Sequence, residues 1–422
     1  METARIDNDV YEVLESELEN LSKLTHLRGR MEKDLLENIL PFWMKYTQDE
    51  EQGGFYGAVG LDKRPVPNAP KSLVLNARLL WTFAGAYRIF GKPGYLELAD
   101  RAYNYIVGHF WDDSKGGGYW MLHADGTVAD STKMVYAQGF LLYAFSEYAR
   151  ATGREEALRY ADKTYEFLEG SCREGGHYLE TAKGCGAGNG AVAKEGLLSM
   201  NTHIHILEPV TCYFRVRHTP QVEETLVNLI EVTGRKIYSR RLHHFQLFFT
   251  EDMNPLPGEI SYGHDIEGSW LLTEAAEVLC SYAGNRERAE ALRAETREIA
   301  VDMVDYVLAH GVDRKNGGVY DAGDEDGKIV SPQKVWWSQA EAVVGCVNAW
   351  EITGEERYLD EALALWDYIE KNVANPPEGD WLGTGRDSVR DGNSGVLAGA
   401  WKCPYHNSRA AFEICERADK RA

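Results

Sequence analysis

The sequence has 422 residues, of which 44% are hydrophobic and 26% charged, the profile of a globular protein with a sizeable core. Its formal net charge of −21 argues against nucleic acid or an anionic membrane as a partner, because both attract an excess of Lys and Arg. No run approaches the roughly 18 apolar residues of a membrane span, and the acidic start of the chain has no signal-peptide pattern. Seven scattered cysteines without a CxxC pair favour reduced thiols and a cytoplasmic location.

Helical periodicity dominates the chain. Long apolar helices are predicted at 78–90, 136–150 and 338–352, and their narrow polar stripes indicate burial among other helices. More amphipathic helices with charged faces are predicted between them, for example at 94–110 and 357–373. Inner, apolar helices therefore alternate with outer, charged ones.

The loops repeat as well. A Gly pair followed by strand-like residues predicts tight hairpins in "EQGGFYGAV" (from 51), "SKGGGYWML" (from 114), "REGGHYLET" (from 173) and "RKNGGVYDAG" (from 314), with looser versions at 242–252 and 379–387. Six loops predict six helical hairpins, an all-α (α/α)6 barrel with short β-hairpin loops at one mouth. The N-terminal helices (about 8–46) are expected to pair with the last inner helix (about 403–418), and 1–422 is expected to be a single domain.

Polar or aromatic residues appear where each inner helix begins. In repeat order they are Asn76 and Arg78; Tyr136; Asn201, His203 and His205; His264 and Glu267; Trp336, Trp337 and Glu341; and Trp401, His406 and Asn407. Each alone has an ordinary explanation as a capped histidine, a core aromatic or an ion pair. In a closed ring, however, these helix starts converge on one mouth, which predicts a ligand pocket with positive potential. His203 and His205 are two positions apart, so at most one is expected to face it.

Two cofactor signals are weak. "GAGNGA" (186–191) fits the letters of a dinucleotide fingerprint but lies in no βαβ unit, which favours a flexible loop. No Cys/His group has the spacing of a helical zinc site. We therefore expect neither a metal nor another cofactor.

The chain resembles the N-acylglucosamine 2-epimerase superfamily over nearly its whole length. The matching stretches are "NARLLWTFA", "KMVYAQ", "SMNTHIHILE", "SYGHDIEGSWLL", "WWSQAEAVVG" and "WKCPYHNSRA". The fourth and sixth together are highly specific, and the sixth, with its Trp and Tyr-His-Asn, is closer to the branch that acts on cellobiose than to the N-acylglucosamine or mannose branches. The resemblance implies an (α/α)6 barrel and an isomerase that epimerises C2 of the reducing-end glucose in a β-1,4-linked disaccharide, turning cellobiose into glucosyl-mannose and lactose into epilactose. Gly-rich loops at 181–200 and 384–398 depart from the pattern, and they are expected to rim the mouth of the barrel.

The resemblance also implies roles. These are an acid/base pair, His264 and His406; contacts around the reacting end, Arg78, Tyr136, Asn201 and His205; contacts that hold the disaccharide, Trp337, Glu341 and Trp401; and a carboxylate beside the first catalytic histidine, Glu267.

The chemistry fits these residue types. Two groups of near-neutral pKa on opposite sides of C2 would remove and return a proton through a cis-enediolate, and histidine suits that task. Arg78, with His205 and Tyr136, is the candidate donor to the enediolate O1. Glu267 is three residues after His264, so we expect it to orient that imidazole and favour its protonated form. Asp265 points elsewhere by helical phase and is expected to be a structural partner.

Three other functions stay open at this stage. The same scaffold supports N-acylglucosamine 2-epimerases and mannose isomerases, which act on monosaccharides. An (α/α)6 glycoside hydrolase would need two carboxylates across a glycosidic bond, and Glu267 and Glu341 are a candidate pair. A third alternative is a sugar-binding barrel without turnover. The expected partner is a small disaccharide such as cellobiose, lactose or a mannobiose-like sugar, and the expected oligomeric state is a monomer or weak homodimer.

Overall fold

A computed structural model describes residues 2–185, 197–388 and 395–421, with side chains from residue 17 onwards. Its helices are α1 (Glu2–Asp34), α2 (Leu40–Tyr46), α3 (Leu73–Phe90), α4 (Pro93–Tyr105), α5 (Val135–Thr152), α6 (Glu155–Ser171), α7 (Met200–Phe214), α8 (Pro220–Val232), α9 (Tyr262–Tyr282), α10 (Arg286–His310), α11 (Trp336–Thr353), α12 (Arg357–Asn372) and α13 (Tyr405–Asp419). Three π-helical turns occur at Leu35–Ile39, Ile106–Phe110 and Thr233–Ile237. The predicted loop at 186–191 lies outside the described residues, as do parts of the Gly-rich loops at 181–200 and 384–398.

The inner helices form a closed ring. In order, α3, α5, α7, α9, α11 and α13 each pack against the next, and α13 packs back against α3. Each also packs against an outer helix: α4, α6, α8, α10 and α12 for the first five, and α1 for α13. The predicted (α/α)6 barrel, including closure of the ring by the N-terminal helix, is confirmed.

Burial follows from the pattern of apolar residues. Every residue from 73 to 86 of α3 is buried, because this helix is surrounded by α4, α5 and α13. The outer helix α12 instead buries a single stripe that includes Tyr358, Ala362, Leu365 and Ile369, at spacings of three and four residues. The core thus lies between the ring of inner helices and the ring of outer helices, and the inner helices enclose the barrel axis.

Short antiparallel strands gather where the outer helices end and the inner helices begin. They are β1 (Val59–Gly60), β2 (Lys71–Ser72), β3 (Met121–Leu122), β4 (Val128–Asp130), β5 (Arg173–Glu174), β6 (His177–Tyr178), β7 (Leu198–Ser199), β8 (Tyr238–Ser239), β9 (His244–Phe245), β10 (Phe248–Phe249), β11 (Ile260–Ser261), β12 (Ala322–Gly323), β13 (Ile329–Ser331) and β14 (Val396–Ala398). The pairs and triplets are β1–β14, β2–β3–β4, β5–β6, β7–β10, β8–β9 and β11–β12–β13. They surround one mouth of the barrel, as predicted.

Six tight hairpins follow the outer helices. Their bridging pairs are Gln48–Phe55, Trp111–Gly118, Arg173–Tyr178, Tyr238–Phe245, Val312–Val319 and Ala374–Trp381. The hairpins predicted at 242–252 and 379–387 lie a few residues earlier in the chain than expected. Neither loop contains the Gly pair that located the other four hairpins, so the sequence contains no marker for the position of the turn.

An inner-helix glutamine ties down two of these hairpins. The Gln138 amide donates to the Gly118 carbonyl at 2.9 Å and accepts from the Gly118 N–H at 2.7 Å, and Gln339 makes the same pair of bonds to Val319. Gly117 has a φ of +69°, and a Cβ there would lie 2.8 Å from the Gln138 oxygen. The hairpins are thus fixed to the inner helices that they precede.

Among the described helices, none combines the length and apolar character needed to cross a membrane. All seven cysteines are unpaired.

Candidate active site

A pocket of about 350 Å³ opens at the mouth formed by the inner-helix N-termini, and we call it the N-terminal pocket. Its lining includes Arg78, Tyr136, Asn201, His205, His264, Glu267, Trp336, Trp337, Trp401, Lys402 and His406. All six inner helices, or the residues that immediately precede them, therefore contribute to one cavity. Of the residues predicted for the site, only Glu341 is not part of this lining.

His406 is held from behind by Glu341. Its Nδ1 lies 2.7 Å from Glu341 Oε1, and the other carboxylate oxygen accepts a 3.0 Å hydrogen bond from Trp270 Nε1. Glu341 is fully buried. Glu341 lies outside the pocket lining, with its carboxylate bound by His406 and Trp270, and its predicted contact with the sugar stays a prediction.

His264 has a different partner from the one we expected. Its Nδ1 lies 2.7 Å from the Ser261 hydroxyl, the residue that precedes α9. The Oε1 atom of Glu267 is bound by Arg409, which takes the carboxylate away from the His264 ring. Glu267 lies close to His264 but does not orient it, and this expectation is corrected. Asp265 accepts a 2.8 Å hydrogen bond from the backbone N–H of Phe245, which confirms its structural role.

His205 and His203 point to opposite sides of α7. His205 faces the pocket, and its Nδ1 lies 2.6 Å from Glu208 Oε1. His203 is buried behind it, with Nδ1 2.8 Å from the Ser199 carbonyl and Nε2 accepting from the Tyr178 N–H at 3.2 Å. The prediction that only one of the two faces the pocket is confirmed.

The three pocket histidines have the same protonation state. Burial lowers the pKa of His205 and His264 to about 3, and burial together with Arg78 and Arg409 lowers that of His406 well below its ordinary value. All three are thus neutral near pH 7. Because each Nδ1 is already hydrogen-bonded, Nε2 is the nitrogen left for a ligand in the pocket.

Arg78 keeps its charge despite complete burial. Burial opposes the charge, but Tyr136 and the Cys403 thiol more than offset this, and the pKa of Arg78 is raised. Its guanidinium donates to the Tyr136 hydroxyl at 2.7 Å and lies 4.1 Å from the centre of the Phe140 ring. A fixed positive group therefore lies at the wall of the pocket beside a hydroxyl.

A buried ion-pair layer closes the floor of the pocket, and sequence reasoning missed it. Arg409 of α13 contacts Glu208, Glu267, Glu341 and the Tyr405 hydroxyl, and we call these five residues the Arg409 layer. One guanidinium faces three carboxylates, and burial raises the pKa of Glu208 and Glu341. The signal was present: charged residues in the apolar stretches "HIHILEPV" and "NSRAAFEI" lie inside helices that must be buried.

Two tryptophans form the sugar-sized walls. The Trp337 ring centre lies 4.7 Å from that of His264 and 5.3 Å from that of His406, so one indole touches both imidazoles. Trp401 is 41% exposed at the rim and packs 5.8 Å from the Tyr136 ring. Asn201 also lines the pocket, and its buried Oδ1 has no hydrogen-bond partner among the described residues.

A larger cavity, about 520 Å³, opens at the opposite mouth, where the inner helices end. Its arginines are paired with its glutamates, for example Arg215 with Glu274 at 2.7 Å and Arg88 with Glu147 at 2.5 Å. No histidine is part of its described lining. The Arg409 layer separates the two cavities, because Glu208 lines this one and Glu267 lines the N-terminal pocket. Of these two cavities, the N-terminal pocket is therefore the one whose described lining contains histidines.

Two groups of residues could hold a metal ion by the types of their ligand atoms. One is His205, His264 and Glu267, and the other is Glu267, Glu341 and His406. Within each group the ligand atoms lie no more than 4.8 Å apart.

Comparison with known proteins identifies the family of this chain. The family model described as N-acylglucosamine 2-epimerase (GlcNAc 2-epimerase) matches residues 53–410. The chain is 37% identical to a cellobiose 2-epimerase from Bacteroides fragilis over 395 residues, covering 92% of this chain and 98% of that protein. It is 35% identical to the solved cellobiose 2-epimerase of Spirochaeta thermophila, with a TM-score of 0.81 and coverage of 94% and 98%. An N-acylglucosamine 2-epimerase from Mus musculus is 23% identical over 379 residues, covering 84% of this chain and 83% of that protein. The chain belongs to the N-acylglucosamine 2-epimerase family.

Proposed function

We propose that this protein is a cellobiose 2-epimerase-type isomerase, which inverts C2 of the reducing-end glucose of a β-1,4-linked disaccharide. One observation carries the proposal: His264 and His406 flank the same indole of Trp337 in one pocket, each with its Nδ1 occupied. Proton removal and return at a single carbon require a base and an acid, and two imidazoles around one small cavity can supply both, one as the neutral base and the other, once protonated, as the acid.

The reaction begins with the closed sugar. Ring opening breaks the C1–O5 bond and forms the C1=O1 carbonyl, while one neutral imidazole relays the O1 hydroxyl proton to O5. In the open aldehyde, a neutral Nε2 takes the C2 proton. The C–H electrons form the C1–C2 double bond, and the carbonyl electrons move to O1, which gives the cis-enediolate.

Arg78 is the proposed partner of the negative O1. It is buried, charged and fixed by Tyr136, so it offers hydrogen bonds and positive potential without reorganisation. Removing such a donor typically costs on the order of 3 kcal/mol of barrier lowering. Tyr136, Asn201 and His205 are proposed to bind the remaining oxygens around the reacting end, because they line the same wall.

Return of the proton uses the opposite imidazole after the intermediate rotates. That imidazole must carry a proton at this moment, although its pKa in the empty pocket is low. The enediolate supplies the missing interaction, because an adjacent negative charge raises the pKa of an imidazole. The proton comes from water, so the product made in D2O should carry deuterium at C2. The two histidines exchange roles in the reverse direction.

The second sugar is proposed to rest on Trp401. This indole is at the rim of the pocket, beyond Tyr136, and flat apolar rings pack well against sugar C–H surfaces. Trp337 lies deeper and is proposed to cover the reacting unit. The proposed substrates are therefore disaccharides such as cellobiose, lactose or a mannobiose-like sugar.

The alternatives fit less well. Glu267 and Glu341 both contact the same nitrogen of Arg409, so they do not face each other across a space for a glycosidic bond. A binding protein without turnover leaves the paired imidazoles unexplained. N-acylglucosamine and mannose remain the competing substrates, since epimerases and isomerases share the enediolate.

NMR in D2O tests the proposal. Metal-free protein is incubated separately with cellobiose, mannose and N-acetylglucosamine, and we expect the C2 epimer of cellobiose with deuterium at C2. Turnover of only a monosaccharide would contradict the disaccharide assignment, and absence of exchange with all three sugars would contradict enzymatic function.

Three further expectations belong with this function. We propose that 1–422 is a single catalytic domain, which is supported by the packing of α1 against α13. Unpaired cysteines support a reducing, cytoplasmic location. We expect the protein to be a monomer or a weak homodimer, and light scattering can test this prediction.

A further inference from the structure

We propose that His205, His264 and Glu267 form a binding site for a divalent transition-metal ion of the Zn²⁺ class, which inhibits the enzyme by occupying the sugar site. The ligand atoms of these residues lie within 4.8 Å of one another. Two imidazoles and one carboxylate with an open fourth position are a donor set typical of zinc.

Each of the three residues has a free ligand atom. Nδ1 of His205 is bonded to Glu208 and Nδ1 of His264 to Ser261, so Nε2 of both rings is available. Glu267 is fully buried, and its Oε2 has no hydrogen-bond partner among the described residues, although Oε1 is bound by Arg409. A buried carboxylate oxygen without a partner is costly, and a cation would satisfy it.

The surroundings of the histidines match those of metal ligands. Metal-binding imidazoles usually donate the other ring N–H to a carboxylate, carbonyl or similar acceptor, which fixes the tautomer and the ring orientation. Glu208 supplies such a carboxylate to His205 at 2.6 Å, and Ser261 supplies a hydroxyl to His264 at 2.7 Å. The ring centres are 6.4 Å apart and the planes are inclined by 69°, so the rings meet edge to face instead of stacking.

The second group of candidate ligands is already occupied. One nitrogen of Arg409 contacts both Glu267 and Glu341, at 2.7 Å for the latter, and Glu341 also binds His406 at 2.7 Å. A guanidinium thus holds the position that a metal would take between Glu267, Glu341 and His406. This leaves the first group as the site.

Coordination requires a small contraction. Tetrahedral zinc with bonds of about 2.0–2.2 Å places its ligand atoms roughly 3.4 Å apart. Donor atoms up to 4.8 Å apart must therefore move closer by at most about 1.4 Å. The fixed charges of Arg78 and Arg409 oppose a second cation, so binding should be moderate, in the micromolar range, and reversible with a chelator.

Metal binding and sugar binding exclude each other. The ion would hold Nε2 of His264, the atom that the proposed function assigns to proton transfer, and it would fill the space for the reacting sugar. Inhibition by the metal rests on the proposed function, whereas binding of the metal does not.

The test uses Co²⁺, whose visible absorption reports four-coordination. Chelator-treated protein is titrated with Co²⁺ alone, and we expect one equivalent to bind and Zn²⁺ to displace it. His264→Asn and Glu267→Gln should each weaken Co²⁺ binding at least tenfold, and cellobiose should displace the ion from the wild type. Zn²⁺ should inhibit epimerisation competitively against cellobiose.

His243→Asn is the matched control. This histidine is half exposed and paired with Asp302 at the surface, and its variant should bind Co²⁺ as the wild type does. Unchanged binding in both site variants would overturn the proposal, as would thiolate charge-transfer bands, which would point to Cys403 beside Arg78. One-to-one binding that depends on His264 and Glu267, in a protein without epimerase activity, would support the metal site and reject only the proposed function.

Discussion

His406 and Glu341 are joined by a 2.7 Å hydrogen bond between Nδ1 and Oε1, and the carboxylate is fully buried behind the imidazole. This bond fixes the tautomer in which Nδ1 carries the proton and Nε2 faces the pocket as a base. Glu341→Gln keeps the side-chain shape but weakens this control. We expect kcat to fall at least about 100-fold with little change in KM, since loss of the orienting carboxylate leaves the wrong tautomer.

Steady-state kinetics with cellobiose measure this effect, and Ser261→Ala is the comparison at the other histidine. The neutral Ser261 hydroxyl orients His264 less strongly, so we expect a smaller loss in kcat, about tenfold. A rise in KM alone for Glu341→Gln would mean that this carboxylate contacts the sugar, as the sequence resemblance implied.

Replacing either imidazole should stop inversion. His264→Asn and His406→Asn each leave C2 with a base on one face only, and we expect a loss of about 100- to 10,000-fold in epimerisation. The variant that keeps the base facing the bound epimer should still exchange the C2 hydrogen of that epimer with deuterium. NMR of cellobiose and of its C2 epimer with each variant measures both rates. Full epimerase activity in either variant would show that the residue is structural.

Trp401 should affect disaccharides more than monosaccharides. Trp401→Ala removes an exposed ring at the rim and leaves the histidines untouched. We expect KM for cellobiose to rise about tenfold, which corresponds to about 1.4 kcal/mol, with kcat changing little. Any residual turnover of mannose is the internal control and should not change. Equal losses for both sugars would place Trp401 at the reacting end instead.

The buried His203 should make stability depend on pH. Burial lowers its pKa to about 4 in the folded state, against about 6.5 in an unfolded chain. As pH falls below 6.5 the unfolded chain gains a proton that the folded protein does not, so the free energy of unfolding falls, by up to about 3 kcal/mol at pH 4. Urea denaturation at pH 7 and pH 4.5 measures this difference.

His203→Gln should reduce that pH dependence, because the amide can replace both hydrogen bonds without titrating. The variant His243→Gln at the surface is the control and should keep the wild-type slope. The other buried histidines also contribute, so the slope should decrease in His203→Gln without vanishing. An unchanged slope would argue against the buried neutral state of His203.

Metal removal should not lower activity. The proposed proton transfers use imidazoles and Arg78 alone, so exhaustive EDTA treatment should leave kcat and KM unchanged or relieve inhibition. Atomic absorption of the treated protein confirms removal of the metal. Activity that disappears with EDTA and returns with a divalent ion would contradict the mechanism.

The six-fold phase of the sequence was enough to predict both the barrel and the mouth that carries the pocket. Apolar inner helices must be surrounded, and polar residues at their starts then converge, so Arg78, His264 and His406 are found around one cavity. Helix and loop boundaries shifted by a few residues where the Gly pair was missing, as at Tyr238–Phe245.

The partners of the site residues could not be read from spacing along one helix. Glu267 is three residues after His264, and this spacing suggested that the two side chains pair. In the structure the Glu267 carboxylate instead binds Arg409 from another helix, because that charged guanidinium is buried beside it. Glu341 was assigned to the sugar by resemblance, yet it serves His406 across a helix interface. Which side chains meet between two helices depends on how far each helix is rotated about its own axis. A single sequence does not specify that rotation closely enough to identify the residues that meet.

The Arg409 layer also decides how a sugar chain moves through the protein. Because these buried ion pairs lie across the barrel axis between the two cavities, the described residues leave the N-terminal pocket open towards the mouth formed by the inner-helix N-termini. A substrate must enter with its reducing end first and must leave backwards, with its other end still towards solvent. The length of the sugar chain beyond Trp401 should then matter little. A product must leave through the same opening before the next substrate can enter. Because entry and exit use the same opening, accumulated epimer should slow turnover by occupying the pocket.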